Sequence, residues 1–276
     1  VSTAFERVFI ERGDFIVFHE PFSEAFFFGP ERGHTRFADR PIKVDRTFRK
    51  IWADIKQSSA HTDRPSFVKE LAFHLPLTPL RGEIMAQSTH TFLVRHPHKA
   101  LASMYRKLPD FDWIEAGYEG LYEIFEESRR HQPDQPTVID ADHLQQHPDI
   151  VMRAYCRRLG IPFMSDSLRW KPKIIPAWNA WEGWHEEAQF SNGLRSEPST
   201  KEDGELPDWV LRMIERAMPF YLILKSHCDI PHMEKCETGR GSNKTETCSS
   251  EAAPDKGQHA ETTSKVTFTY SPPPLT

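Results

Sequence analysis

Thr91-Phe92-Leu93-Val94-Arg95-His96-Pro97-His98-Lys99-Ala100-Leu101-Ala102-Ser103 is the stretch from which the rest of the chain can be read. Its first four residues, aromatic, aliphatic or β-branched, predict a short buried strand over 91–94. A helix follows directly, from about His98 to Lys107. A strand that runs straight into a helix is half of a parallel βαβ unit. In such sheets, ligands bind beyond the carboxyl ends of the strands, where loops turn into helices. Arg95 stands at that point, and Ser103 lies one to two turns into the helix. Together they can grip one anion from two sides, the guanidinium with its planar fork of donors and the serine with a hydroxyl. Each charge-assisted bond to a phosphate contributes about 1.5–3 kcal/mol. Read alone, the pair fits a surface arginine and an ordinary helical serine equally well.

Working outward, the same alternation recurs. Residues Ala4 to Glu11 read as a helix stopped by Gly13, and Phe15 to Phe18 as a short buried strand. Phe48, Ile51, Trp52 and Ile55 fall at helical spacing within Thr47 to Lys56. Phe67 and Val68 begin a strand near Lys69. A long helix is expected from about Ile114 to Arg130, then a strand over Thr137 to Ile139. Pro148 opens a helix that Gly160 closes, and Trp209 to Leu224 forms the last helix. Short apolar strands alternating with amphipathic helices imply an α/β fold, a parallel sheet flanked by helices on both faces. Residues 1–230 are read as one domain. From 231 to 276 the composition shifts to Ser, Thr, Lys, Glu, Gly and Pro, and a disordered low-complexity tail is expected. Within it, Val266 to Tyr270 alternates like a strand that could dock on a sheet edge.

The formal net charge of −5 argues against a general affinity for nucleic acid or an anionic membrane, which needs a basic surface. No apolar run reaches the length of a transmembrane helix. Four cysteines, Cys156, Cys228, Cys236 and Cys248, are too few for a disulfide framework in 276 residues. Free thiols in a reducing, cytoplasmic setting are expected. His227, Cys228, His232 and Cys236 match no common zinc spacing.

With these residues in view, Leu93-Val94-Arg95 followed by Ser103 resembles the 3′-phosphate-binding motif of sulfotransferases. Ser2-Thr3-Ala4-Phe5-Glu6-Arg7 resembles the end of that family's 5′-phosphosulfate loop as it enters the first helix. Phe18-His19-Glu20-Pro21 is similar to a Phe-Glu-Pro segment of carbohydrate-type members. Lys69 and His74-Leu75-Pro76-Leu77 are similar to the Lys and His-Leu-Pro-Leu stretch of cytosolic members. Ile139 to Asp142, with Pro148 and Leu159-Gly160, resembles the later strand–helix unit. Trp184-His185 through Ser191-Asn192-Gly193-Leu194 resembles a late loop that closes on the nucleotide. The resemblance covers about residues 2 to 225. It implies a three-layer sandwich like that of the P-loop nucleotide hydrolases. It also implies 3′-phosphoadenosine-5′-phosphosulfate (PAPS) as sulfuryl donor, with a small-molecule hydroxyl or amine as acceptor. The chain departs from the family in one respect: the Lys or Arg before the Ser-Thr pair, and the central strand before that, would precede Val1. The resemblance therefore implies an N-terminally truncated member with its first strand missing.

The resemblance assigns Ser2, Thr3, Arg95, Ser103, Asn192 and Gly193 to the nucleotide. An acceptor hydroxyl needs a base within hydrogen-bond reach. By similarity that base is His74, with Glu20 as a rival and His19 as a third candidate, while Lys69 stabilises the bridging oxygen. The mechanism requires no metal. Trp178, Trp181 and Trp184 fit an acceptor pocket, an adenine cover or plain core packing. Two alternatives stand beside the sulfotransferase: an inactive nucleotide-binding or interaction protein on the same fold, and an ATP-dependent P-loop kinase. The pairing of Arg95 with Ser103 and the lack of a Gly-Lys-Ser/Thr motif weigh against the kinase.

Overall fold

The computed structural model describes residues 1–75, 78–132, 134–178, 184–194, 205–228, 230 and 266–272. Elements follow the expected alternation: α1 (Ser2–Arg12), β1 (Ile16–His19), α2 (Ser23–Phe28), α3 (Phe48–Thr62), β2 (Ser66–Leu71), α4 (Arg81–Gln87), β3 (Ser88–Val94) and α5 (Pro97–Lys107). Then come α6 (Trp113–Ala116), α7 (Tyr118–His131), β4 (Thr137–Asp140), α8 (Ala141–Gln146), α9 (Pro148–Leu159), α10 (Glu186–Phe190), α11 (Asp208–Ser226) and β5 (Val266–Ser271). The helix expected over 114–130 is two helices. Gly117, at φ 75°, takes the left-handed conformation that a side chain resists, and the chain turns there between α6 and α7.

All five strands are parallel, in the order β1-β2-β5-β3-β4. Alternation along each strand feeds two cores. Val68, Phe92, Val138, Val266, Phe268 and Tyr270 face a core shared with α3, α5, α7 and α11. Phe67, Leu93 and Ile139 face the other, where Phe5 and Phe9 of α1 meet Tyr155 of α9. Phe9 stacks on Phe67 with ring centres 3.7 Å apart. Helices thus cover both faces, as the alternation predicts.

The tail reading is corrected at its end. Residues 266–271 are neither disordered nor at a sheet edge; they lie in the middle, Val266 pairing with Ser66 on one side and Ser88 on the other. The place expected to be empty for want of a first strand is filled by β5. A gap between β2 and β3 would leave two rows of backbone donors and acceptors unpaired, whereas an edge offers only one. The side chains of Val-Thr-Phe-Thr-Tyr-Ser suit both faces. Val266, Phe268 and Tyr270 enter the larger core. On the other face, Thr269 Oγ1 lies 2.7 Å from Thr91 Oγ1, which is 3.3 Å from the Tyr155 hydroxyl. The rest of the tail expectation, including Cys236 and Cys248, lies outside the described residues, as does Trp181.

Candidate functional site at the carboxyl edge of the sheet

Parallel strands deliver their last residues to one rim, where Lys69, Glu20, His19, His185 and Thr3 form a continuous chain of contacts. Ser2 and Thr3 open α1, both buried. The first amides of a helix lack intrahelical partners and favour anions. Arg95 follows β3, and its carbonyl accepts the Tyr118 hydroxyl at 2.8 Å. Ser103 sits on the buried face of α5.

Lys69 is fully buried near the end of β2, with its ammonium on Glu20 Oε1. Glu20 follows β1. Burial would raise its pKa, but Lys69, His19 and His185 outweigh that and hold it at about 2. Its backbone has φ 44°, a left-handed conformation costly for a side-chain-bearing residue before proline. A clamp holds it there: Glu20 N donates to Lys69 O at 2.7 Å, and Ser23 Oγ donates to Glu20 O at 2.6 Å.

Two histidines join this cluster from distant parts of the chain. His19 Nδ1 lies 2.6 Å from Glu6 Oε2, and its Nε2 lies 3.1 Å from His185 Nε2. Glu6 Oε1 accepts the Trp178 indole N–H at 3.0 Å, and His185 Nδ1 is 3.3 Å from Thr3 Oγ1. Burial lowers the His19 pKa, but Glu6 and Glu20 more than reverse this and raise it. Burial and then the charge of His19 lower His185 to about 3.

His74 is fully buried in a short 3-10 turn after β2. Its Nδ1 lies 2.6 Å from Glu70 Oε1, and Glu70 also accepts the backbone N–H groups of Phe22 and Leu71. A carboxylate fastened at both oxygens fixes the proton on Nδ1. His74 Nε2 has no hydrogen-bond partner among the described residues, and the rings of Phe26, Phe27 and Phe73 surround the imidazole.

Asn192 and Gly193 belong to the same late loop as His185. They are tied by backbone to the 168–170 segment: Trp170 N donates to Asn192 O at 3.2 Å, and Gly193 bridges Arg169. A Cβ on Gly193 would meet Leu168 O at 2.7 Å, so glycine is required for this close approach. Of the late loop, His185 contacts His19 and Thr3.

Sequence reasoning missed Glu6, Glu70 and His185 as site residues. Glu6 follows Thr3 by one helical turn and so shares its face, a signal that was present. Glu70 lies beside Lys69 on a strand, and its role depends on the turn that brings His74 back to it. Nothing in the spacing joins His19 to His185.

Two proteins of Arabidopsis thaliana are similar to this chain. Branched-chain-amino-acid aminotransferase-like protein 1 is 33% identical over 163 residues, covering 58% of this chain and 27% of that protein. Branched-chain-amino-acid aminotransferase-like protein 2 is 29% identical over 236 residues, covering 82% of this chain and 40% of its own length. The chain therefore spans less than half the length of these curated relatives. No solved structure matches it. The sulfotransferase domain family matches residues 1–228, from the first turn of α1 past the end of α11, and the chain belongs to that family.

Proposed function

We propose that this domain transfers a sulfuryl group from PAPS to a hydroxyl or amine of a small molecule. The observation that carries the reading is the placement of Arg95 after β3 and of Lys69 near the end of β2, two cations on the rim where α1 begins and where a nucleotide's two anionic ends can be held at once. The 3′-phosphate lies between Arg95 and Ser103. The phosphosulfate meets the first-turn amides of α1 with Ser2 and Thr3. Lys69 neutralises charge on the oxygen that leaves with the 5′-phosphate.

Among the three candidate bases, surroundings separate the roles. Glu20 is engaged by Lys69, and its low pKa makes it a weak proton acceptor. His19 is held between Glu6 and Glu20, which favour its protonated form. His74 has a lone pair at Nε2 and a carboxylate behind Nδ1, so it takes the acceptor's proton. The acceptor oxygen bonds sulfur as the sulfur–oxygen bond to the 5′-phosphate breaks, and 3′,5′-bisphosphoadenosine departs. Phe26, Phe27 and Phe73 around His74 favour an acceptor with an apolar body. Cys156 is a free thiol, which fits the cytoplasm. Among the described residues, no helix is long and apolar enough to cross a membrane.

Calorimetric titration tests the nucleotide assignment. The chain should bind 3′,5′-bisphosphoadenosine in preference to ATP. Arg95→Ala should weaken that binding about 10- to 100-fold, the equivalent of one lost charge-assisted contact. Binding of adenosine 5′-phosphosulfate, which has no 3′-phosphate, should change little. Equal weakening of both ligands, or preference for ATP, overturns the assignment. Binding without transfer to any hydroxyl or amine in a broad panel would identify an inactive nucleotide-binding relative instead.

A further inference from the structure

The apposition of His19 and His185 poses a problem of charge that the sulfuryl-transfer reading does not use. Glu6 can only accept a hydrogen bond when ionised, so His19 carries its proton on Nδ1 and, when neutral, presents a bare Nε2. Thr3 Oγ1 is placed to receive the Nδ1 proton of His185 in the same way. Two imidazole lone pairs then face each other at 3.1 Å, with Glu20 Oε1 3.8 Å from His19 Nε2. Lone pairs at this distance repel unless a cation stands between them. A single proton shared by the two rings relieves the repulsion and leaves Glu20 to Lys69. A metal ion engages all three.

We propose that His19 Nε2, His185 Nε2 and Glu20 form a binding site for a divalent transition metal ion of the zinc class. Their ligand atoms lie within 4.8 Å of one another. At zinc bond lengths of ~2.0–2.1 Å, the two nitrogens, 3.1 Å apart, subtend about 100° at the ion, near the tetrahedral angle. Behind the ligands stand the oxygens such sites use to orient their imidazoles: Glu6 on His19 and Thr3 on His185. Lys69 engages Glu20 Oε1, the oxygen 3.8 Å from His19 Nε2, so the ion shares that oxygen with the ammonium or takes Oε2. Three protein ligands leave a fourth position for water or an anionic ligand.

The other triplet of this kind among the described residues is different. At His34, Asp112 and Glu115, the guanidinium of Arg36 already binds both oxygens of Glu115 and one of Asp110. That group is compensated by an arginine fork, and it contains one imidazole rather than two facing ones.

The test uses the full chain, without a histidine tag, and is independent of sulfuryl transfer. Titration with zinc should show one site per chain. His19→Gln and His185→Gln should each weaken it by about 100-fold or more, and Glu6→Gln by about 10- to 100-fold. His131→Gln, on an outer helix face, should leave it unchanged. X-ray absorption of the zinc-loaded wild-type chain should show two imidazoles, with nitrogen and oxygen ligands only. That measurement decides the matter even if a variant fails to fold. Absence of binding overturns the proposal. So do sulfur ligands, which would place the ion near Cys228, and so does an affinity indifferent to both histidines.

Discussion

His74 and His19 each set Nδ1 2.6 Å from a buried carboxylate, yet the two pairs sit in opposite surroundings. Behind His74, Glu70 is anchored by backbone amides, and the rings of Phe26, Phe27 and Phe73 pack about the imidazole. Behind His19, Glu6 is anchored by Trp178, and in front of it stand Glu20, Lys69 and His185. The same two-residue unit therefore leaves one imidazole with a free lone pair in an apolar pocket and builds the other into a charged network. What a histidine can do is decided by what faces its second nitrogen.

The sharpest way to break this contrast is to remove His74. His74→Asn should lower sulfuryl transfer about 10²- to 10⁴-fold, the usual contribution of a general base, while binding of 3′,5′-bisphosphoadenosine persists. Single-turnover transfer from labelled PAPS would read it; full activity in the variant would return the base role to Glu20 or His19. Next in size is the ion pair in the His19 network. Glu20→Gln strands the Lys69 ammonium in the interior and should cost about 3–5 kcal/mol of stability, read from urea unfolding. An unchanged midpoint would mean that Lys69 has another partner.

A third buried histidine extends the comparison, because it has no carboxylate. His90 lies between Phe268 and Tyr270 of β5, with Nδ1 3.0 Å from the Tyr270 hydroxyl, and burial lowers its pKa to about 4. Above its ordinary value of 6.5 it is neutral in both the folded and the unfolded chain. As the pH falls from 6.5 to 4, only the unfolded chain takes up the proton, so stability declines through that window, by about 3 kcal/mol in full. His90→Phe should flatten this decline relative to the wild type in unfolding measured at pH 7, 5.5 and 4.5. The smallest effect belongs to the carboxylate without a cation. Glu70→Gln should destabilise by only about 1–3 kcal/mol, since it weakens hydrogen bonds without stranding a charge. A loss as large as that of Glu20→Gln would erase the distinction between the two pairs.

Legibility from sequence divides along the same line. The strand–helix alternation could be read because it depends on local spacing: residues two apart share a strand face, and residues three or four apart share a helix face. Gly160 ended its helix where expected, with φ 66°. Gly117 was read through as part of one helix, because a glycine inside a periodic pattern gives no sign of whether it will turn the chain. β5 was recognisable as a strand, but an alternating segment does not say which neighbours it will pair with.

The amino-acid sequence by itself determined the class of fold and the family, because these follow from periodicity and from short motifs read in order. Only the tertiary structure decided that the last strand lies in the middle of the sheet and that His185 meets His19 from 166 residues away. The reason is physical. Local pattern settles which way a side chain faces, whereas pairing across the sheet and contact across the rim are settled by which buried polar groups would otherwise be left without partners.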